Sequence, residues 1–263
     1  MKSSSSLVRL LGFPATLIHG DTLVWDRWRW LAARLPRTGN GEHLIDIGCG
    51  SGAFSIGAAR RGYHALGLSW DAANQDKAAE RAALCKAPTA RFEVLDVRRL
   101  ATRKDLVGQY DTAICFENIE HILDDRRLMI DIAATLKPGG RLLLTAPYHH
   151  YRAITRSDDG PFETEEKGWH VRRGYTVAML QELCDEAGLM VEHVSYCSGF
   201  LSQKITTLQR LIERVSGPVA WLAVLPLRML PPLFDGIIAR LTGYPSFSIG
   251  LEAYKPRFGQ RLQ

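Results

Sequence analysis

Short apolar runs alternate with helix-length segments through the middle of the chain. The runs at 43–48, 64–69, 91–96, 110–117 and 141–147 have the length and composition of buried strands, and segments 52–61, 71–86 and 123–136 between them are helical in pattern. Strands that are apolar along their whole length are typical of parallel sheets with helices on both faces. Because such connections are right-handed, the pattern predicts a doubly wound α/β sheet.

The segments on either side of this core have patterns of their own. Large apolar residues recur at three- and four-residue steps over 21–35, which predicts a helix before the first strand. After the fifth strand the sequence predicts a polar loop (148–175), a helix (176–187), a sixth strand (189–197) and a last strand (247–255). We therefore predict a single domain (1–263) with an N-terminal helical cap (1–41), a core (42–198), an apolar helical insertion (199–245) and a last strand (246–256).

Composition and charge narrow the class of protein. The chain has 33 basic and 28 acidic residues, a net charge of +5, and five scattered cysteines without a CxxC pair. This cysteine pattern argues against a disulfide framework and a cysteine zinc site, and it favours a reducing, cytoplasmic setting. Arg9 and Pro14 interrupt the apolar N-terminal stretch, which favours a helix there over a secretion signal. No apolar run reaches the roughly 20 residues that span a bilayer.

The segment Asp46-Ile-Gly-Cys-Gly-Ser-Gly52 lies at the predicted turn from the first strand into a helix. Glycines at such a turn allow close approach of a ligand to the backbone, and the helix start offers free N–H groups. The spacing is GxGxG, whereas dinucleotide folds use GxGxxG for a pyrophosphate. Asp46 would repel a pyrophosphate but suits a cationic group, such as the amino group of S-adenosylmethionine (SAM). This favours SAM over NAD.

Four further segments follow the glycine turn in a familiar order. LIDIGCGSG (44–52) resembles the first motif of the class I SAM-dependent methyltransferases, the group that includes the ubiquinone-pathway enzymes. RFEVLDV (91–97), YDTAICFENIEHI (110–122), LKPGGRLLLTAP (136–147) and FSIGLEAYKP (247–256) resemble later motifs of that family. The resemblance implies a Rossmann-like, seven-stranded, mostly parallel sheet with an antiparallel last strand. It also implies SAM contacts at Asp46, Gly48, Cys49, Gly50, Gly52, Asp96, Val97 and Glu117.

One position departs from the family pattern. Family members carry an acid at the end of the second strand that binds the ribose hydroxyls of SAM. Here the run is GLSWD, with Ser69 at the expected place and Asp71 two residues later. Two alternatives stay open: Asp71 reaches back to the ribose, or Ser69 and a water replace the acid.

A second cluster of chemically active residues follows the fourth strand. Glu117, Glu120 and His121 are spaced so that they share a face of a turn or helix, and ligands bind at this edge of open α/β sheets. The pattern ExxEH resembles that of ubiquinone-pathway O-methyltransferases and of small-RNA 3′-terminal 2′-O-methyltransferases. In the RNA group a further histidine follows the fifth strand, and His170 has that position here. The resemblance implies a metal site of Glu117, Glu120, His121 and His170 for a divalent ion such as Mg²⁺ or Zn²⁺.

A metal-free alternative uses the same residues. An acid–histidine pair after the fourth strand also occurs in methyltransferases that bind no metal, where it serves packing, SAM contact or base catalysis. In that case His121 or His170 is the candidate general base, and Glu117 is a further candidate catalytic residue. With a metal, the ion would hold the acceptor hydroxyl and lower its pKa.

The insertion is strongly apolar, with VAWLAVLPLRMLPPLF at 219–234 and four prolines that divide it into two or three helices. Beside simple packing on the sheet, three roles stay open: a cap over a hydrophobic acceptor, contact with a second subunit, and peripheral membrane contact through 218–240. Trp221, Arg228 and Arg240 are of types that suit a headgroup boundary.

These observations together predict a SAM-dependent methyltransferase that acts on a small or lipid-like acceptor, at a hydroxyl oxygen. Two alternatives remain: methylation of an RNA 2′-hydroxyl, and a non-catalytic SAM-binding module. The net charge is modest and no basic stripe with interleaved aromatics is present, which disfavours RNA and DNA as partners.

Overall fold

The computed structural model describes residues 4–18, 22–38 and 41–257, and within them seven strands form one sheet. The strands are β1 (His43–Ile47), β2 (His64–Ser69), β3 (Ala90–Val94), β4 (Tyr110–Phe116), β5 (Leu136–Pro147), β6 (Met190–Cys197) and β7 (Ser248–Tyr254). Their order is β3-β2-β1-β4-β5-β7-β6. β7 is antiparallel to both of its neighbours, whereas the pairs among β1 to β5 are parallel. The predicted topology is confirmed.

The predicted helices connect the strands, and further helices precede β1 and lie between β6 and β7. They are α1 (Ser4–Leu11), α2 (Phe13–Ile18), α3 (Thr22–Arg34), α4 (Ala53–Ala59), α5 (Ala72–Leu84), α6 (Asp125–Thr135), α7 (Val177–Glu186), α8 (Phe200–Glu213), α9 (Gly217–Val224) and α10 (Pro231–Thr242). Side-chain oxygens of Asp71, Asp124 and Thr176 accept hydrogen bonds from free backbone N–H groups and so fix the starts of α5, α6 and α7. Asp21, where the first predicted helix began, lies outside the described residues.

The start of the fifth strand differs from the prediction. β5 begins at Leu136, five residues before the predicted start, because LKPGG extends the strand and does not form a connecting turn. Tyr110 pairs with Leu136 and Thr112 with Arg141, so the register shifts in this stretch. A proline and two glycines are readily accommodated at such an irregularity.

Apolar side chains on the two faces of the sheet form two separate cores. Along β1, Leu44 belongs to one core and Ile45 and Ile47 to the other, as the alternation of a strand requires. The first face is covered by α1 to α5 and the second by α6 and α7. Burial on both faces explains why the central strands are apolar along their whole length.

Three helices of the apolar segment follow β6. α8 packs against α3, and α9 and α10 pack against α8. Within the described residues no individual helix is long and apolar enough to cross a membrane, whereas the pair Val219–Met229 and Pro231–Thr242, bent by 68°, meets that criterion jointly.

Candidate active site

A cavity of about 520 Å³ opens at the carboxyl ends of β1, β2 and β4. It collects residues from all of the predicted motifs except the fifth-strand and last-strand segments. The lining residues are Gly48, Gly50, Ser69, Trp70, Asn74, Asp96, Val97, Arg98, Glu117, Asn118, His121, Ile122, Glu166, Lys167 and Gly168. Its volume lies within the range of small-molecule sites.

The glycine turn needs glycine for space as well as for conformation. Gly48 has a φ of +81°, and a Cβ at this position would lie 2.4 Å from Asn118 Cγ. Gly52 has a φ of +79°, and its Cβ would lie 2.6 Å from a ring carbon of Phe92. The backbone N–H groups of Gly48 and Cys49 donate to Leu68 O, which ties the turn to β2. At Gly48 and Gly52 the turn therefore approaches its neighbours too closely for any larger residue.

Three motif residues are not on the cavity wall: Asp46 and Cys49 lie beneath the turn, and Gly52 precedes α4. Asp46 is buried, and its Oδ2 accepts a hydrogen bond of 2.6 Å from Ser55 Oγ. Burial raises the pKa of Asp46 from 3.8 to about 7, and the Ser55 hydrogen bond opposes this rise. Cys49 is also buried, with Sγ 3.5 Å from Gln75 Oε1, and burial raises the pKa of its thiol. Contact of any of these three residues with SAM stays a prediction.

The structure at the end of β2 distinguishes Ser69 from Asp71, the two candidates for contact with the ribose of SAM. Ser69 lines the cavity, whereas Asp71 is not among the lining residues. Asp71 Oδ1 accepts hydrogen bonds from Ala73 N (2.8 Å) and Asn74 N (3.3 Å), so it caps α5. Asn74 itself reaches the cavity from the first turn of this helix. Between the two alternatives, this geometry favours Ser69.

Asp96 and Val97 both line the cavity, next to an ion pair that the sequence did not reveal. Arg98 Nε lies 2.8 Å from Asp96 Oδ1, and this arginine holds the pKa of Asp96 below its ordinary value. Arg98 Nη1 also lies 2.7 Å from Glu166 Oε2. Glu166 Oε1 accepts from Leu123 N at 2.5 Å. Residues 166–168 are thus fastened over one side of the cavity.

Glu117 stands at the end of β4 in an unusual backbone conformation, with a φ of +46°. Its Oε2 lies 3.0 Å from Arg27 Nη2 on α3, and both side chains are largely buried. Its Oε1 is buried and has no hydrogen-bond partner among the described residues. A non-glycine residue in this conformation is strained, and such strain clusters at functional sites.

Glu120, His121 and His170 come together beside the cavity. Glu120 Oε1 lies 3.9 Å from His121 Nε2 and 3.9 Å from His170 Nε2. The two imidazole rings are edge to face, with centroids 4.7 Å apart. One ligand atom from each of the three residues lies within 4.8 Å of the others. His121 also lines the cavity, so this cluster adjoins the candidate SAM site.

The 170–175 segment reaches the cluster through contacts with the turn after β4. Val171 N donates to Glu120 O at 3.0 Å, which places His170 beside Glu120. Tyr175 Oη donates to Asp125 Oδ2 at 2.8 Å. Arg172 pairs with the same carboxylate and donates to Ile122 O at 2.7 Å. These contacts explain how a histidine so distant in sequence enters the cluster.

Burial is the main cause of the pKa shifts of Glu120 and His170. Glu120 has an exposed fraction of 1%, and burial, followed by repulsion from Glu117, raises its pKa well above the ordinary value. Burial and the neighbouring His121 lower the pKa of His170 from 6.5 to about 4. Glu120 Oε2 and His121 Nδ1 are buried without a hydrogen-bond partner among the described residues. Such unpaired atoms are costly unless a ligand satisfies them.

Comparison with known proteins decides the family. The sequence model of a methyltransferase-domain family matches residues 24–194. The chain belongs to the class I SAM-dependent methyltransferases. As a methyltransferase it has SAM as its cofactor. The cavity with the glycine turn fits this group, because Asn118 Nδ2 and Glu117 Oε1 have no hydrogen-bond partner among the described residues.

Curated relatives and solved structures agree with this assignment. The methyltransferase is 29% identical over 160 residues to a ubiquinone biosynthesis O-methyltransferase from Aeromonas salmonicida, covering 59% of this chain and 66% of the relative. It is 31% identical over 105 residues to one from Marinobacter nauticus, covering 40% and 44%. The chain thus spans about half the length of such relatives. The structure of phosphoethanolamine N-methyltransferase 2 from Haemonchus contortus with SAM matches with a TM-score of 0.62 and 17% identity, over 98% of this chain and 61% of that one.

The structure brings together three of the four residues of the predicted metal site. Glu120, His121 and His170 form a group of one carboxylate and two imidazoles, a set that suits Zn²⁺ and other divalent ions. Glu117 is not in this group, and its Oε2 pairs with Arg27 instead. The unpaired Glu120 Oε2 and His121 Nδ1 are consistent with a ligand there. The metal site and the catalytic roles of His121, His170 and Glu117 stay predictions.

Several residues at the site had no signal in the sequence. Arg27 comes from the N-terminal helix, and Arg98 and Glu166 are 68 positions apart, so only the fold brings them to the cavity. Asn118 is different, because it stands within the ExxEH segment directly after Glu117. Its position within that motif could have identified it as a residue of the site.

Proposed function

We propose that this methyltransferase transfers the methyl group of SAM to a hydroxyl oxygen of a small, lipid-like acceptor. The observation that carries the proposal is the cluster of Glu120, His121 and His170 beside the SAM cavity. It supplies proton acceptors next to the cofactor. The names of the ubiquinone biosynthesis O-methyltransferases among the relatives support an oxygen nucleophile on a lipid-like molecule.

The chemistry asks little of the protein beyond alignment and removal of one proton. The acceptor oxygen attacks the methyl carbon in line with sulfur, the C–S bond of SAM breaks and the new O–C bond forms. The hydroxyl proton passes to an imidazole of His121 or His170 and from there to solvent. S-adenosylhomocysteine and the methyl ether leave. Glu120 is buried beside both histidines, with its Oε1 3.9 Å from each Nε2.

The same three residues are the ones that would hold a divalent ion. When bound, such an ion supplies a positive charge that lowers the pKa of the acceptor hydroxyl. His121 and His170 would then act as ligands through nitrogen, with Glu120 as the carboxylate ligand. The ion pair with Arg27 holds Glu117 away from these three residues, on the side of the site where the SAM cavity lies.

Turnover with a panel of acceptors tests the proposal. Release of S-adenosylhomocysteine is measured with hydrophobic phenols and long-chain alcohols, with their methyl ethers, with matched amines and with a short RNA. We expect turnover with the hydroxyl compounds and none with the ethers. His121→Ala and His170→Ala should each lower kcat by about 10²- to 10⁴-fold while the Kd for SAM changes little.

The remaining outcomes separate the alternatives. Turnover with the amines or the RNA alone would contradict the proposal, and SAM binding without any turnover would favour a non-catalytic module. Metal dependence is tested by metal content after dialysis and by activity in excess chelator. Glu120→Gln provides a readout besides activity, because it should lower the bound metal relative to the parent protein. Full activity in chelator leaves the two histidines as bases.

A further inference from the structure

The helices between β6 and β7 turn large apolar side chains toward solvent. Val215 is 89% exposed, Leu222 63%, Leu233 64%, Ile237 54% and Leu241 81%. We call the exposed apolar residues between 215 and 241 the apolar face. In native proteins, large exposed apolar patches mark interaction sites.

The positions of the exposed residues in the apolar face follow the periodicity of a helix. In α10, Leu233, Ile237 and Leu241 are four residues apart and therefore lie on one side of the helix. The other side of α10 faces the protein, where Asp235 Oδ1 accepts from Leu201 N at 2.6 Å and caps α8. α9 is apolar all round, with Ala220 and Val224 buried and Leu222 exposed. A helix of that kind is expected to have apolar surroundings on every side.

Arginines outnumber acids around the apolar face. Arg228 is the sole charged residue between 215 and 234, and it is buried and donates to Gln209 Oε1 at 2.8 Å. Exposed Arg214 and Arg240 flank the face at its two ends. Of the acids nearby, Asp235 is engaged in the cap of α8, and Glu213 accepts from Gln209 Nε2 at 2.8 Å. An apolar centre with a basic edge therefore results.

We infer that the apolar face docks on a membrane surface that contains anionic lipids. Apolar side chains of α9 and α10 enter the boundary between headgroups and acyl chains, while Arg214 and Arg240 meet the anionic headgroups. A second copy of the chain is a poorer occupant, because a two-fold interface would bring the basic edges together.

Vesicle flotation with the full chain tests this inference. Vesicles of phosphatidylcholine alone are compared with vesicles that contain about 30% phosphatidylglycerol, in the absence of SAM and acceptor. We expect binding to the anionic vesicles that weakens in high salt. Leu222→Ser/Leu233→Ser/Ile237→Ser should lower the binding by more than ~10-fold. Arg214→Gln and Arg240→Gln should each lower binding to anionic vesicles by about fivefold.

Matched controls keep the result interpretable. Val94→Ser/Val107→Ser/Ile130→Ser changes apolar residues with exposed fractions of 57%, 46% and 41% elsewhere, and should bind vesicles as the parent protein does. The Kd for SAM reports folding in every variant. Equal vesicle binding by the two triple variants, or none by the parent protein, overturns the inference. The parent protein could instead form a dimer that binds no vesicles and that the first triple variant dissociates. That result would assign the apolar face to contact with a second copy and would also overturn the inference. Failure of methyl transfer has no effect on this measurement.

Discussion

Arg27 Nη2 lies 3.0 Å from Glu117 Oε2, and this ion pair joins the N-terminal helix α3 to the end of β4. The exposed fractions of the two side chains are 10% and 13%. Glu117 is also the residue held at a φ of +46° on the wall of the SAM cavity. Helix α3 thus supplies the cationic partner of a carboxylate at the cofactor site.

Removal of the arginine should be costly because it leaves a buried carboxylate unpaired. We expect Arg27→Met to lower the free energy of unfolding by about 3 kcal/mol or more. Arg27→Met/Glu117→Gln should recover a large part of the loss, because the buried charge is gone. Urea unfolding of Arg27→Met, of Glu117→Gln and of the double variant measures the coupling free energy between the two residues. Arg103→Met, which breaks an exposed pair with Glu93, is the control and should have a much smaller effect. Equal losses in the two arginine variants would contradict the prediction.

Two glycines of the same turn should respond differently to alanine. Gly48 and Gly50 both have positive φ, but a Cβ on Gly48 meets Asn118 at 2.4 Å, whereas a Cβ on Gly50 meets nothing within 4 Å. Gly50→Ala should cost about 1 kcal/mol for its backbone conformation alone. Gly48→Ala should cost at least about 2 kcal/mol more and weaken SAM binding, because Asn118 must move. Thermal unfolding and titration calorimetry measure both effects, and equal costs at the two positions would count against the packing argument.

The central sheet was predictable because burial on both faces leaves a signal in each strand. Ile45 and Leu44 face opposite cores, and both must be apolar, so β1 is visible as a continuous apolar run. The start of β5 was missed because Pro138 and Gly139 usually end regular structure, whereas here they form an irregular edge of the sheet. Local composition does not report the partner strand that makes such an irregularity possible.

Two signals in the sequence predicted members of the site: closeness within one motif, and the family resemblance that placed His170 in the cluster. Glu120 and His121 are neighbours in sequence, and their closeness follows from the chain itself. The pair of Arg27 with Glu117 depends on how α3 packs, and no local pattern encodes that. Asp71 shows the opposite case, because its sequence position suggested a ribose contact, but a helix cap already uses its carboxylate.

The buried carboxyl of Asp46 should make stability depend on pH. Its pKa is 3.8 unfolded and about 7 folded, so the folded state holds a proton that the unfolded state releases between these values. The contribution of this group is therefore favourable at low pH and is lost as the pH rises toward 7, by up to about 4 kcal/mol. Asp46→Asn cannot ionise and should reduce the difference in unfolding free energy between pH 5 and pH 8. Urea unfolding at the two pH values checks this.

The same Asp46→Asn variant tests the contact predicted from the sequence. Asp111→Asn is a control of opposite sign, because Lys137 holds the pKa of Asp111 below its ordinary value. An unchanged pH dependence in Asp46→Asn would show that the carboxyl is ionised in the fold. A Kd for SAM within about threefold of the parent value assigns Asp46 a supporting role beneath the turn. A much larger loss supports contact with the amino group of SAM.

Glu166 should govern how long SAM stays in its cavity. Its carboxylate accepts from Leu123 N at 2.5 Å and pairs with Arg98 at 2.7 Å, and residues 166–168 line the cavity. Glu166→Ala removes both contacts and should raise the Kd for SAM by about 10-fold, mainly through faster release, because hydrogen bonds to charged groups contribute about 1.5–3 kcal/mol. Glu166→Gln keeps an acceptor for Leu123 N and should have a smaller effect. Stopped-flow fluorescence measures the release rate. Glu165→Ala, which removes an exposed partner of Lys167 in the same loop, is the control, and equal release rates in the two alanine variants would mean that this loop does not retain SAM.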